Sequence, residues 1–163
     1  MKKLYLDCDG VILDTINMSY KMIKNKGLTD KEEIEHFYKN LSWEELIIEA
    51  GEIDNSIEKI KELTKKYNVE ILTHVNSDEE VLAKLNYFNT VLPDVKVITV
   101  PKEIQKADFV IPNGNVLVDD YLPNLDYWKE KGGIPIKFSD SGKKCKYQTV
   151  KDLRELLEIN INE

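Results

Sequence analysis

Arginine is nearly absent from this 163-residue chain. Lysine and arginine together number 23, but Arg154 is the single arginine, and 30 acidic residues bring the formal net charge to −7. Bidentate contacts to phosphate and guanine rely on the guanidinium group, which lysine does not replace. We therefore expect no duplex nucleic acid among the partners. A small phosphate group remains a suitable partner, since it needs one lysine and a few backbone N–H groups.

Cysteine and long apolar runs are also scarce. Cys8 and Cys145 are the two cysteines, and their spacing matches no metal-binding or redox motif, so we expect no disulfide. No stretch approaches the roughly 20 apolar residues of a membrane-spanning helix, which argues against a membrane partner. Two lysines near the start lead directly to Asp7 without the apolar segment of a signal peptide. These absences favour a cytoplasmic protein.

Short β-rich runs are the main feature that the chain does contain. Five of them lie at 3–6, 69–72, 95–100, 116–118 and 134–138. They are continuously apolar rather than alternating, which is typical of strands covered on both faces. Helical patterns separate most of them. We therefore predict an α/β fold, with a Rossmann-like parallel sheet of about five strands, flanking helices and right-handed crossovers.

Two helices of the predicted core have clear sequence signals. A capping box at 77–80 precedes a helix whose apolar positions, expected to face the core, are Val81, Leu82, Leu85 and Phe88. A last helix is expected to start within 149–152 and to bury the apolar residues that follow.

One interval, 15–53, contains no convincing strand. Helix starts are indicated by a capping box at 29–32 and by Ser42, and the second of these helices should end at Gly51. We therefore predict a small helical insert at 15–53, placed directly after the first strand. The core domain would then consist of 1–14 and 54–163.

Polar side chains follow several of the predicted strands at the point where each strand ends. In chain order they are Asp7, Asp9, Thr73, His74, Lys102, Lys106, Asp119 and Asp120. Ligands of open parallel sheets bind at the carboxyl ends of the strands, so we expect these residues to share one edge. Acidic pairs from two strands suit Mg²⁺, which takes one or two carboxylates and keeps other positions for water and phosphate. The sequence thus predicts a magnesium site.

This set of residues resembles the motifs of the haloacid dehalogenase-like phosphohydrolases. The sequence DCDGV at 7–11 is similar to motif I, Thr73 to motif II and the acidic pair at 119–120 to motif IV. Lys106 is similar to the motif III lysine, and Lys102 stays open as the alternative. The helical insert lies where that superfamily places its C1 cap.

A narrower resemblance lies in the last third of the chain. Residues 117–128 (LVDDYLPNLDYW), 132–134 (GGI) and 137–138 (KF) resemble the bacterial and phage branch of the 5′(3′)-deoxyribonucleotidases. The chain departs from that branch in its short insert and in His74, where the family usually has a smaller residue. The resemblance implies a phosphomonoesterase that acts on nucleoside monophosphates. Another small phosphate ester, such as a sugar phosphate, and a catalytically silent phosphate-binding regulatory protein stay open as alternatives.

The resemblance also implies a role for each residue of the set. Asp7 would attack phosphorus and form an aspartyl-phosphate, and Asp9 would act as general acid and then as general base. Mg²⁺ would be held by Asp7, the carbonyl of Asp9, and the carboxylates of Asp119 and Asp120. The remaining phosphate ligands would be Thr73, His74 and Lys106. His74 could instead only shape the edge of the site.

Three aromatic residues of the insert are open as nucleobase contacts, although aromatic residues at helical spacing are more often core. They are Phe37, Tyr38 and Trp43. A signalling receiver is a rival of another class, but receivers place the acidic pair on the first strand and a lone acceptor aspartate on the third. Here the third strand runs into Thr99-Val100-Pro101. A homodimer stays open.

Overall fold

Six parallel strands form a single sheet in this computed structural model, which describes residues 2–161. The strands are β1 (Lys3–Leu6), β2 (Asn68–Val75), β3 (Lys96–Pro101), β4 (Val116–Asp119), β5 (Ile134–Phe138) and β6 (Gln148–Val150). Their spatial order is β3-β2-β1-β4-β5-β6. The predicted α/β class and parallel sheet are confirmed, and five of the six strands overlap the runs identified in the sequence.

Seven α-helices and a short 3₁₀ helix accompany the sheet in the described residues. They are α1 (Thr15–Asn25), α2 (Lys31–Lys39), α3 (Trp43–Ala50), α4 (Ser56–Thr64), α5 (Asp78–Val91), α6 (Lys106–Phe109) and α7 (Leu122–Glu130), with the 3₁₀ helix at Leu153–Leu157. Within 2–161, no helix combines the length and the apolar character needed to traverse a bilayer.

The sixth strand corrects the prediction of a last helix starting within 149–152. Thr149 pairs with Lys137 at the edge of the sheet, so the backbone there completes a ladder instead of a helical turn. The helix that follows is 3₁₀ and begins at Leu153. Its start is fixed by Asp152, whose carboxylate accepts from the Arg154 N–H at 2.8 Å.

Apolar side chains cover both faces of the sheet, as the continuous apolar runs predict. Successive residues of a strand point to opposite faces. Leu4 and Leu6 accordingly join the larger cluster, whereas Tyr5 joins a smaller one around Trp128. Both faces of the central strands are therefore covered by apolar side chains.

The buried face of α5 differs from the predicted one. Leu82 and Leu85 are 60% and 37% exposed, whereas the fully buried positions are Glu80, Lys84 and Phe88. These three lie four residues apart and share one stripe of the helix. Charged residues occupy the inner stripe because partners at the sheet edge satisfy them, as described below.

Side-chain caps agree with the sequence signals at two of the three helix starts. Ser42 and Ser77 each accept a hydrogen bond from the backbone N–H three residues later. The capping box predicted at 29–32 is wrong, because α2 begins at Lys31, after Asp30, and its start has no side-chain cap.

The three helices α1–α3 connect β1 to α4 as one excursion from the sheet. Its two ends lie side by side. The Asp14 N–H donates to the Gly51 carbonyl at 3.0 Å, and the Ile53 N–H donates to the Ile12 carbonyl at 2.8 Å. The excursion is therefore tied closed at its base, next to the end of β1.

Candidate active site

The strand order brings the two acidic pairs together. β1 and β4 are neighbours, with Leu6 beside Val118, and the Asp7 N–H donates to the Val118 carbonyl at 2.9 Å. Asp7 therefore lies next to Asp119, the last residue of β4. β2 flanks β1 on its other side and contributes Thr73 to the same edge.

Three carboxylates at this edge form a cluster that could hold a metal ion. One oxygen from each of Asp7, Asp119 and Asp120 lies within 4.8 Å of the others. Adjacent ligands of an octahedral Mg²⁺ lie roughly 3 Å apart and opposite ligands roughly 4.2 Å, given metal–oxygen distances of about 2.1 Å. The spacing and the hard oxygen donors therefore fit this cation.

The same proximity raises the proton affinity of the cluster. Burial, followed by the charge of Asp119, raises the pKa of Asp7 well above its usual range. The same two causes, in the same order, raise the pKa of Asp120 to about 6. Both shifts describe a cluster without a cation, because carboxylates that repel each other in a buried place favour protonation.

Gly10 is required for the close approach of Asp120. Its φ of +81° lies in the left-handed region, and a Cβ at this position would overlap Asp120 Oδ2. The glycine of the DCDGV sequence thus serves two purposes. It turns the chain after β1, and it leaves room for a carboxylate of the acidic cluster.

Lys106, the first residue of α6, is buried between the two acidic pairs. Its Nζ donates to Asp7 Oδ1 at 2.7 Å and to Asp119 Oδ2 at 2.8 Å. Burial lowers the pKa of this ammonium, but the charges of Asp119 and Asp7 outweigh that effect and raise it. These contacts use two of its three N–H donors. The alternative, Lys102, is exposed and lies at the wall of the cavity described below.

Asp9 is held through both of its carboxylate oxygens. Thr15 Oγ donates to Oδ1 at 2.6 Å, and Lys84 Nζ donates to Oδ2 at 2.7 Å. Thr15 comes from the start of α1 and Lys84 from α5, so two separate elements orient this side chain.

Lys84, like Thr15, is a contact of Asp9 that the sequence motifs do not include. Its side chain is fully buried, and burial lowers its pKa, but the charges of Asp9 and Glu80 contribute to a larger opposite effect. The pKa is therefore raised and the ammonium stays charged. A signal was present in the sequence, since Glu80 and Lys84 lie in the same helical register as Phe88. Charged residues in phase with a core residue indicate a buried polar network.

Thr73 and His74 are placed differently from each other. Thr73 is buried at the end of β2, and its Oγ accepts from Lys84 Nζ at 2.9 Å. The His74 ring lies 2.8 Å from the Ile104 carbonyl through Nε2, which fixes the loop that follows β3. Burial lowers the pKa of this imidazole. The ring therefore supports the loop, and a contact of His74 with phosphate stays a prediction.

A cavity of about 610 Å³ opens over Asp9. Its walls come from the sheet edge and from the excursion, and include Thr15, Ser19, Tyr20, Tyr38, Trp43, Asn76 and Lys102. Two of the three aromatic residues predicted as base contacts are among them. The third, Phe37, lies in a separate cavity between α1 and α2. Its ring packs edge-on against Tyr38 at 5.4 Å and lies under Lys26.

Comparison with known proteins identifies the fold. No protein-family model matches the chain, and no curated protein matches it in sequence. Among solved structures, the magnesium-bound HAD-hydrolase YfnB from Bacillus subtilis is similar with 11% identity and a TM-score of 0.65, over 96% of this chain and 97% of that one. D,D-heptose 1,7-bisphosphate phosphatase from Burkholderia thailandensis has 18% identity and a TM-score of 0.58, over 96% of both chains.

A third similar structure is a HAD-superfamily hydrolase of subfamily IA from Geobacter sulfurreducens. It has 14% identity and a TM-score of 0.63, over 97% of this chain and 98% of that one. At these identities the likeness establishes the fold, which is that of the haloacid dehalogenase-like hydrolases. Membership of that superfamily stays a prediction from the sequence motifs.

Proposed function

We propose that this protein is a Mg²⁺-dependent phosphomonoesterase that forms an aspartyl-phosphate on Asp7. One observation carries the proposal: a buried aspartate lies within a carboxylate cluster that fits Mg²⁺, with a second aspartate two residues later at the wall of a cavity. The similarity in fold to a sugar bisphosphate phosphatase and to a magnesium-bound hydrolase supports it.

The metal would be held by Asp7, Asp119 and Asp120, with the Asp9 carbonyl as a further ligand. When bound, Mg²⁺ offsets the repulsion between these carboxylates and the phosphate group. Lys106 already neutralises part of the cluster, and one of its N–H donors remains for a phosphoryl oxygen.

In the first step an oxygen of Asp7 attacks phosphorus and forms a new P–O bond. The ester P–O bond breaks, and protonated Asp9 gives its proton to the leaving alkoxide. Thr73, the backbone near His74, and Lys106 bind the equatorial oxygens, where negative charge gathers in the transition state. The products are an alcohol and the aspartyl-phosphate.

In the second step water attacks the same phosphorus atom. Asp9, now a carboxylate, takes the proton of that water, and the bond between phosphorus and Asp7 breaks. Phosphate leaves and Asp7 is restored as a carboxylate. Asp9 regains its proton as well, so both side chains are ready for another substrate.

We propose nucleoside monophosphates as the substrate class, with deoxyribonucleotides favoured. Tyr38 and Trp43 support this choice, because they line the cavity that contains Asp9 and offer faces on which a base can stack. A second candidate is a sugar phosphate. Ser19 and Asn76 favour it, since they place polar groups in the same cavity, where hydroxyl groups could be bound.

We also propose that residues 15–53 act as a small cap over the site. Trp43 begins α3 and its backbone N–H donates to Glu79 of α5 at 3.0 Å, which brings this part of the excursion against the core. The aromatic residues of the cavity, Tyr20, Tyr38 and Trp43, all belong to it. On this proposal the sheet edge performs the chemistry, and the cap selects the leaving group.

Phosphate release from a panel of deoxyribonucleotides, ribonucleotides and sugar phosphates tests the proposal, with and without Mg²⁺. We expect turnover that disappears with a chelator and with Asp7→Asn. Asp94→Asn is the matched control, since Asp94 is exposed in a turn remote from the site and should leave turnover unchanged. Full Mg²⁺-dependent activity in Asp7→Asn would exclude this nucleophile. No turnover across the panel would favour a silent phosphate-binding protein.

A further inference from the structure

Lys84 has a place in the site that differs from that of Lys106. Both ammonium groups are buried and both contact two carboxylates. Lys84 Nζ lies within hydrogen-bond distance of four acceptors: Asp9 Oδ2 at 2.7 Å, Glu80 Oε2 at 2.6 Å, Thr73 Oγ at 2.9 Å and the His74 carbonyl at 3.1 Å. An ammonium has three N–H donors. Lys84 is therefore saturated by the protein and has no donor left for a substrate.

Lys84 is also separated from the cavity. Asp9 and Trp43 line that cavity, and the Trp43 ring centroid lies 4.8 Å from Lys84 Nζ. The indole thus covers the ammonium on the side of the cap. A cation so placed acts on substrate through the groups that it contacts.

Two of those groups, Asp9 and Thr73, have roles in the proposed reaction. We propose that Lys84 is a positioning residue, which holds the Asp9 carboxylate toward the leaving oxygen and the Thr73 hydroxyl toward the phosphoryl group. The proposal rests on the aspartyl-phosphate mechanism above. Glu80 belongs to the same hydrogen-bond network. It is buried, accepts from the Asn76 N–H at 2.8 Å, and anchors Lys84 from the preceding turn of α5.

The physical consequence concerns the orientation of Asp9. Without Lys84, Thr15 alone would hold this carboxylate, at Oδ1, and the side chain could rotate away from the leaving oxygen. A misplacement of about 1 Å costs on the order of 10²-fold in rate. The rate should therefore fall for substrates whose leaving group needs a proton from an acid. It should fall much less for substrates whose leaving group departs without one.

The test compares two substrates in Lys84→Met. p-Nitrophenyl phosphate releases a stabilised phenolate and needs little help from an acid, whereas the best alkyl phosphate of the wild-type enzyme releases an alkoxide. We expect kcat/KM, which reports the first step, to fall about 10²-fold more for the alkyl ester than for the aryl ester. Lys96→Met, at an exposed lysine of β3, is the matched control and should change neither value.

Removal of a buried ammonium leaves Asp9 and Glu80 without compensation and costs stability. The double variant Lys84→Met with Glu80→Gln keeps the charge balance and should show the same difference between substrates. Glu80→Gln alone should show a smaller difference in the same direction. Equal losses on both esters in a folded variant would overturn the proposal. A wild-type protein that hydrolyses neither ester would instead overturn the function on which it rests.

Discussion

The edge of the sheet and the three-helix excursion are built in opposite ways. At the edge, carboxylates and ammonium groups are buried and hydrogen-bonded to one another, and their positions follow from neighbouring strands. In the excursion, α2 has no buried residue, and its aromatic side chains divide between two cavities. Buried charges tolerate little change, because each depends on its partners. Surface helices tolerate more change, which suits the substrate selection proposed for this region.

Among the variants that compare buried and exposed positions, Lys106→Met should have the largest effect on activity. It removes a donor to the phosphoryl group and leaves Asp7 and Asp119 without their cation, so kcat should fall about 10²–10³-fold. Lys102→Met, at the exposed wall of the cavity, should raise KM no more than about 3-fold, as expected for an exposed charge. Steady-state kinetics at saturating Mg²⁺ compare the two variants. Similar losses in both would contradict the assignment of Lys106.

Gly10→Ala should come next, because its Cβ would displace Asp120. We expect a loss of about 1–3 kcal/mol from backbone strain at positive φ, together with a fall of at least about 10-fold in activity. Gly27→Ala is the matched control in the excursion, where φ is +66° and no atom lies within 4 Å of the added Cβ. It should show the backbone cost alone. Thermal unfolding measures the stability of both variants, and Mg²⁺ titration measures their activity. A weakened Mg²⁺ dependence in Gly27→Ala would contradict this explanation.

Tyr38→Leu should have the smallest effect and should act on binding. Loss of a stacking surface is worth roughly 1–3 kcal/mol per base, so KM for nucleotides should rise about 10-fold while kcat changes little. Phe37→Leu provides the comparison on the same helix, since Phe37 faces the other cavity. Its KM should rise less. A larger rise in KM for Phe37→Leu than for Tyr38→Leu would argue against base stacking in the cavity over Asp9.

The fold was predictable from the sequence where the pattern of apolar residues in a strand is compatible with only one kind of sheet. Continuous apolar runs indicated a doubly covered parallel sheet, and the rule that ligands bind at strand ends drew attention to Asp7, Thr73 and Asp119. The strand β6 escaped prediction because it is three residues long and depends on the edge of β5 for its hydrogen bonds. Such pairing is non-local and leaves little trace in the local sequence.

The acidic residues of the site were predictable from the sequence, but the buried residue that holds Asp9 in place, Lys84, was not. Lys84 lies in a helix whose apolar pattern suggested Leu82 and Leu85 as the inner face, and a charged residue counts against burial unless its partners are known. Glu80 lies four residues earlier on the same helix, but Asp9 and Thr73 come from the loop after β1 and from β2. The division of Phe37 and Tyr38 between two cavities depends likewise on side-chain packing, which periodicity does not specify.

The closed base of the excursion has a consequence for how such a protein can change over generations. Residues 14 and 51 are hydrogen-bonded neighbours, so a segment between them starts and finishes at nearly the same point. The entropic cost of closing a loop grows slowly with its length. Segments of different size can therefore be exchanged there without shifting the register of β1 against β4. On the proposed function, the substrate preference could then change through the excursion while the residues at the sheet edge keep the same reaction.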